Sequence, residues 1–132
     1  MNKLRKILCA EDDADIRTIL EFSLGVVGGY TLCMCADGAE AVAQAPAFEP
    51  DLILLDVMMP RMTGPEAMQA LRALPAFATT AVVLMSARAL PHEIEALLEH
   101  GATGVIVKPF DPMTLGENLT IYWNYAHGKR PG

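Results

Sequence analysis

The stretch Leu52-Ile53-Leu54-Leu55-Asp56-Val57-Met58-Met59-Pro60 decides how the rest of the chain is read. Four consecutive large aliphatics suit a strand covered on both faces, the pattern of parallel sheets rather than of half-exposed strands. Asp56 carries the first charge, so the strand is expected to stop there with a carboxylate at its carboxyl end. Pro60 cannot donate to a ladder, and Gly64 tolerates backbone that other residues resist. Residues 58–64 therefore read as a loop whose backbone can approach a ligand.

Upstream of this strand, Lys6-Ile7-Leu8-Cys9-Ala10 is a first strand ending in acids. Asp13 is placed to cap a helix in which Ile16, Ile19, Leu20 and Leu24 recur at helical spacing until Gly28-Gly29. Residues 30–35 form a second strand. Asp37 with Glu40 three residues on predicts a capping box, opening a short Ala-rich helix expected to end before Pro46, with a turn over 48–51. Downstream, Pro65 suits a first helical turn, and Ala67, Met68, Leu71 and Leu74 form a buried face up to Pro75. The run 81–86 is a fourth strand meeting a polar residue at Ser86. Pro91 opens a helix with Ile94, Leu97 and Leu98 inward and Gly101 as its stop. Residues 104–107 make a fifth strand closed by Lys108-Pro109. Asp111-Pro112 is expected to cap and open the last helix, on which Leu115, Leu119, Tyr122 and Trp123 share a spacing.

Buried strands alternating with helices require a parallel sheet covered on both faces with right-handed crossovers, a three-layer α/β fold. The 132 residues fit one domain, expected over 1–127 with a short tail at 128–132, and are expected to be complete in themselves or dependent on a partner. The apolar runs are too short to span a bilayer, and the basic start is cut at once by Glu11-Asp12-Asp13, so neither a membrane segment nor a secretory signal is expected and the location reads as cytoplasmic. A net charge of −6 with ten scattered basic residues gives no footprint for direct nucleic-acid binding. Three cysteines in apolar strand-like segments, without further ligands in sequence reach, read as small core side chains.

Sites in such sheets lie in the crevice at the strands' carboxyl ends, and here those ends carry Glu11 and Asp12, Asp56, Ser86 and Lys108. With strands one and three as neighbours, about 4.8 Å apart, three carboxylates share one small space. Like charges would push at least one of them towards protonation, whereas a divalent cation would keep all three ionised. Hard oxygen donors in small number favour Mg²⁺, which retains waters and takes further oxygens from phosphate. Asp56 is then a candidate nucleophile at phosphorus, with Lys108, Ser86 and nearby backbone N–H groups neutralising the phosphoryl oxygens. Taken singly these residues have plain structural readings: acids before a helix complement its dipole, Asp56 or Ser86 caps a turn, Lys108 is solvated. Those readings do not explain why four strand ends carry these types together. His92 and His100 flank a surface helix and read as solvent-facing, and Tyr122, Trp123 and Tyr125 read mainly as packing of the last helix.

Glu11-Asp12 after the first strand, Asp56 followed by Met59-Pro60 and Gly64, Ser86-Ala87 after the fourth and Lys108-Pro109-Phe110 after the fifth together resemble a response-regulator receiver domain of two-component signalling, of the stand-alone type. The resemblance covers essentially the whole chain, from Lys6 to about Tyr125. It implies a (βα)5 flavodoxin-like fold with strand order 2-1-3-4-5, and Asp56 as phosphoacceptor from a histidine kinase or histidine phosphotransfer protein. It further implies Mg²⁺ held by Glu11, Asp12, Asp56 and the backbone carbonyl of Met58, and a cis bond at Lys108-Pro109. The family spacing selects Glu11 and Asp12 from the three consecutive acids and leaves Asp13 as the cap.

Two positions depart from the family pattern. Many receivers carry an aromatic three residues before the strand-five lysine, where its ring turns inward when the strand-four hydroxyl engages the phosphoryl group. Here that position is Val105, whose β-branched side chain cannot make such a swing, so the link to the output surface must use other parts, such as the loop 87–90. Met58 and Arg88 flank the phosphoryl pocket; an apolar Met58 that hinders water and an Arg88 that shields phosphoryl oxygens would prolong an acyl-phosphate.

The leading expectation is a phosphorylation switch acting through protein contact with a downstream effector, with a possible dimer through the face of the fourth helix, fifth strand and fifth helix. An aspartyl-phosphate hydrolase would need an acid two residues after the nucleophile, where Met58 stands. An unphosphorylated interaction module would have no use for the full set of acids, hydroxyl and lysine, and a flavin site would place a Gly/Ser/Thr-rich phosphate loop where the acids are.

Overall fold

A computed structural model describes residues 3–88 and 90–128. Five parallel strands, β1 (Lys6–Ala10), β2 (Thr31–Cys35), β3 (Leu52–Asp56), β4 (Ala81–Ser86) and β5 (Gly104–Val107), form one sheet in the order β2-β1-β3-β4-β5. The order reverses at β1 and β3, so the crevice at that switch point opens between the strand ends bearing Glu11 and Asp56. Every residue of β3 and β4 is buried, which accounts for their unbroken apolar runs.

The strand alternation sends Leu8, Ala10, Ile53, Leu55, Val82 and Leu84 to one face and Ile7, Cys9, Leu52, Leu54, Val83 and Met85 to the other. The first face is covered by α2 (Gly38–Phe48) and α3 (Gly64–Arg72), through Ala41, Ala45, Met68 and Leu71, with Leu97 of α4 (Pro91–Glu99) packed at its margin. The second is covered by α1 (Ala14–Leu20) with its continuation over 21–27 and by α5 (Leu115–Ala126), through Leu20, Leu24, Leu115, Leu119 and Trp123. This is the expected (βα)5 three-layer arrangement. The α1 rod continues in π-helical form over Glu21–Val27, where Ser23 is buried and donates its hydroxyl to the Pro112 carbonyl at 2.5 Å.

Several local expectations change. The helix α2 does not end before Pro46 but runs through it to Phe48, closing where the Glu49 N–H reaches the Ala45 carbonyl at 2.9 Å and Glu49 turns left-handed at φ 55°. Burial of Ala45 and packing of Phe48 on the core outweigh the lost proline donor so near a helix end. The box expected at Asp37 is half made: Asp37 accepts the Glu40 N–H at 2.8 Å, but Glu40 returns to Ala36 rather than to Asp37. A complete box instead starts α3, where Thr63 and Glu66 exchange both bonds. Leu98 is not inward; it is 42% exposed, and α4 buries no residue fully. The last helix begins at Leu115 rather than at Asp111-Pro112, because Asp111 caps a preceding turn by accepting the Met113 N–H on its side chain. His92 and His100 are exposed, whereas the His127 ring lies 4.1 Å from that of Trp123. Of the expected tail, residues 129–132 lie outside the described residues.

Candidate phosphoacceptor site

Each predicted group stands at a strand's carboxyl end for a local reason. The Glu11 N–H continues the sheet by donating to Cys35 at 3.1 Å, and its carbonyl accepts from the Arg17 guanidinium at 2.8 Å. Its carboxylate accepts the Asp13 N–H at 3.1 Å, while Asp13 caps α1 through the N–H groups of Asp15 and Ile16. Beyond Asp56, the Val57 N–H donates to Met85 at 2.8 Å and the Gly64 N–H to Val57 at 3.0 Å, closing the loop that follows. Gly64 is needed there for space: a Cβ at that position would run into the Asp56 carbonyl. The Lys108 N–H donates to Ser86 at 2.8 Å, and the Lys108-Pro109 bond is cis.

These anchors converge four side chains, those of Glu11, Asp12, Asp56 and Lys108. Lys108 Nζ lies 2.7 Å from Asp56 Oδ1 and 2.8 Å from Glu11 Oε2. Oxygens of Glu11, Asp12 and Asp56 all lie within 4.8 Å of one another. Glu11 and Asp56 are buried and Asp12 is exposed, so the cluster opens to solvent on one side. Burial pushes the Asp56 carboxyl above its usual range, with the Asp12 charge adding to the effect and Lys108 opposing it. Burial also raises Glu11, with Asp56 adding, against the hydrogen bonds from Lys108 and Asp13. For Lys108, burial works against the charge, but the bonds and charges of Asp56 and Glu11 outweigh it and the ammonium is held above its ordinary value. A divalent cation fits this donor set: three hard oxygen donors in reach of one point, two of them costly to keep ionised without a cation.

Ser86, at the end of β4 next to β3, is buried but occupied elsewhere. Its hydroxyl donates to the Arg88 carbonyl and accepts the Arg88 N–H, both at 3.1 Å, while the Arg88 side chain reaches Glu93 at 3.5 Å. The Met58 side chain stands out into solvent, 75% exposed. Two features escaped the sequence reading. Arg61, left-handed at φ 66°, ties the loop after β3 to the α2 cap through a 3.0 Å ion pair with Asp37, a partner no local spacing announces. The ring beside Val105 comes from α5: Tyr122 lies over Gly104 and donates its hydroxyl to the Val105 carbonyl at 3.3 Å.

A family model described as the response regulator receiver domain matches residues 7–120. The chain belongs to this family. Among curated relatives it is 40% identical over 110 residues to a probable transcriptional regulator, ycf27, of Porphyridium aerugineum, covering 83% of this chain and 44% of the relative. It is 36% identical over 112 residues to the alkaline phosphatase synthesis transcriptional regulatory protein PhoP of Bacillus subtilis, covering 85% and 45%. This receiver domain thus spans less than half the length of those relatives. Among solved structures, the Vibrio cholerae chemotaxis response regulator CheY4 superposes with a TM-score of 0.84 at 34% identity, covering 91% of this chain and 99% of that one. The receiver domain of the sensor histidine kinase PA1611 from Pseudomonas aeruginosa superposes at 0.81 with 29% identity, covering 92% and 99%; that structure has a magnesium ion coordinated in its active-site cleft. No helix among the described residues is long and apolar enough to cross a membrane.

Proposed function

We propose that this receiver domain is a phosphorylation switch in which Asp56 accepts a phosphoryl group from the phosphohistidine of a histidine kinase or a histidine phosphotransfer protein. The observation that carries the reading is the Lys108 ammonium bridging Asp56 and Glu11 at the mouth of the crevice. An Asp56 carboxylate oxygen attacks phosphorus in line; the P–N bond breaks as the O–P bond forms, and the imidazole leaves with the electron pair and takes up a proton. Glu11, Asp12, Asp56 and the Met58 backbone carbonyl are the groups that would hold Mg²⁺, which when bound supplies positive charge to the phosphoryl oxygens. Lys108 exchanges the Asp56 carboxylate for a phosphoryl oxygen, and Ser86 gives up its bonds to Arg88 to donate to another.

A phosphoryl group adds close to two negative charges at Asp56. Drawing Ser86 inward remodels the turn at 87–88 and biases the neighbouring α4-β5-α5 face between two arrangements. On that face an apolar groove of about 610 Å³ runs past Ile94, Leu98, Val105 and Tyr122 and suits a downstream protein effector or a second copy. Reversible charging of one residue, rather than turnover, is the output, and the proposed setting is the cytoplasm without direct contact to nucleic acid. The reading is tested by mixing the protein with a radiolabelled phosphohistidine donor and Mg²⁺. Label reaching one equivalent and absent from Asp56→Asn supports it; continuing phosphate release over many turnovers contradicts it.

A further inference from the structure

The three cysteines take no part in the site, and burial pushes the Cys35 thiol up. Cys33 and Cys35 point to the same face of β2, and their sulfurs lie 4.0 Å apart. Cys9 faces the other side of the sheet. Among the described residues β2 is an edge strand, paired with β1 alone. Cys35 is fully buried and Cys33 is half-buried, so an oxidant arriving from solvent meets Cys33 first. The backbone ties this pair to the site, because the Cys35 carbonyl is the acceptor for the Glu11 N–H at 3.1 Å.

We propose that Cys33 and Cys35 form an oxidisable dithiol that closes to an intrastrand disulfide in the presence of a hydroperoxide, and that closure loosens Glu11 and weakens divalent-cation binding. The effect on the cation rests on the phosphoacceptor reading; the disulfide itself does not. In the first step the Cys33 sulfur attacks a peroxide oxygen, the O–O bond breaks, and an alcohol (water from hydrogen peroxide) leaves with a proton. The Cys35 sulfur then attacks the Cys33 sulfenic sulfur and water leaves. Two thiols and one hydroperoxide thus give one disulfide, one alcohol and one water.

Bonding brings the sulfurs from 4.0 Å to about 2.05 Å. Cα atoms two residues apart in a strand are separated by about 6.6–6.8 Å, at the long end of the roughly 4.4–6.8 Å that disulfides span. The strand must therefore pucker between 33 and 35. An edge strand has one neighbour instead of two to hold it flat, and the pucker moves the carbonyl that fixes Glu11. Losing a partner that orients a metal ligand commonly lowers metal affinity on the order of ten-fold.

The test uses the full chain, reduced or treated with hydrogen peroxide. Mapping under non-reducing conditions is expected to recover the 33–35 link with the loss of two hydrogens in the intact mass. Mg²⁺ titration by calorimetry is expected to show affinity lowered on the order of ten-fold and restored by dithiothreitol, with Cys33→Ala insensitive to peroxide in both measurements. Intermolecular crosslinks, sulfinic acid at Cys33, or a 33–35 link that leaves Mg²⁺ affinity unchanged would overturn the proposal. If the reduced protein binds no Mg²⁺, the site reading fails while the mapping still decides whether the dithiol oxidises, so the two failures are distinct.

Discussion

The Lys108 ammonium lies 2.7 Å from Asp56 and bridges it to Glu11, so one cation is shared by two buried carboxylates, one just after β1 and one at the end of β3. Removing it as Lys108→Ala leaves those charges facing each other. The expected loss is roughly 2 kcal/mol, below the range for a fully buried pair because Asp12 opens the cluster to solvent. Mg²⁺ is then expected to raise the melting temperature more in Lys108→Ala than in the parent, measured by thermal denaturation with and without the ion.

Replacing the acceptor has the opposite sign. Burial holds Asp56 above its ordinary value, so its ionised form is disfavoured in the fold. Between the unfolded and folded values the native state binds more protons, and metal-free stability therefore rises as pH falls from the folded value towards the ordinary carboxylate value. Asp56→Asn is expected to be neutral or stabilising near neutral pH and to flatten this dependence. Denaturant melts across pH in chelator check both effects.

Gly64 lies against the Asp56 carbonyl, where a Cβ would collide with backbone. Gly64→Ala is expected to cost roughly 2 kcal/mol and to weaken phosphoryl acceptance by displacing the loop. Chemical denaturation and labelling from a phosphodonor measure the two losses separately.

Ser86 spends its hydroxyl on the Arg88 backbone. Ser86→Ala is expected to lower stability by about 1 kcal/mol, to leave Asp56 able to take a phosphoryl group, and to uncouple it from α4. Amide chemical shifts of α4 that move on phosphorylation of the parent but not of the variant are the expected result.

Met58 is exposed beside Asp56, and Arg88 is free to leave its exposed pair with Glu93. If they shelter the acyl-phosphate, Met58→Asn with Arg88→Ala shortens its lifetime, read as the decay rate of phosphorylated protein. An unchanged rate removes both residues from that role.

The sheet was legible because apolar runs such as Leu52 to Leu55 admit few placements, and because the runs of β1, β3, β4 and β5 each give way to a polar residue at the carboxyl end. The clustering of Glu11, Asp12, Asp56 and Lys108 was legible for the same reason: these side chains stand at strand ends that the topology brings together. What the sequence hid depends on contacts between distant segments. Pro46 inside α2 is tolerated because Ala45 and Phe48 pack; the Arg61 pair with Asp37 spans 24 residues; and the exposure of Leu98 reflects how lightly α4 sits on the sheet. The position of Val105 was readable, but the ring of Tyr122 over Gly104 was not, since it needs the register of α5 against β5.

The most direct test is intact-mass measurement after incubation with Mg²⁺ and acetyl phosphate. A gain of one phosphoryl group that requires Mg²⁺ and disappears in Asp56→Asn, with that variant folded, is the expected result. No gain in the parent, or an equal gain in Asp56→Asn, would contradict Asp56 as the phosphoacceptor.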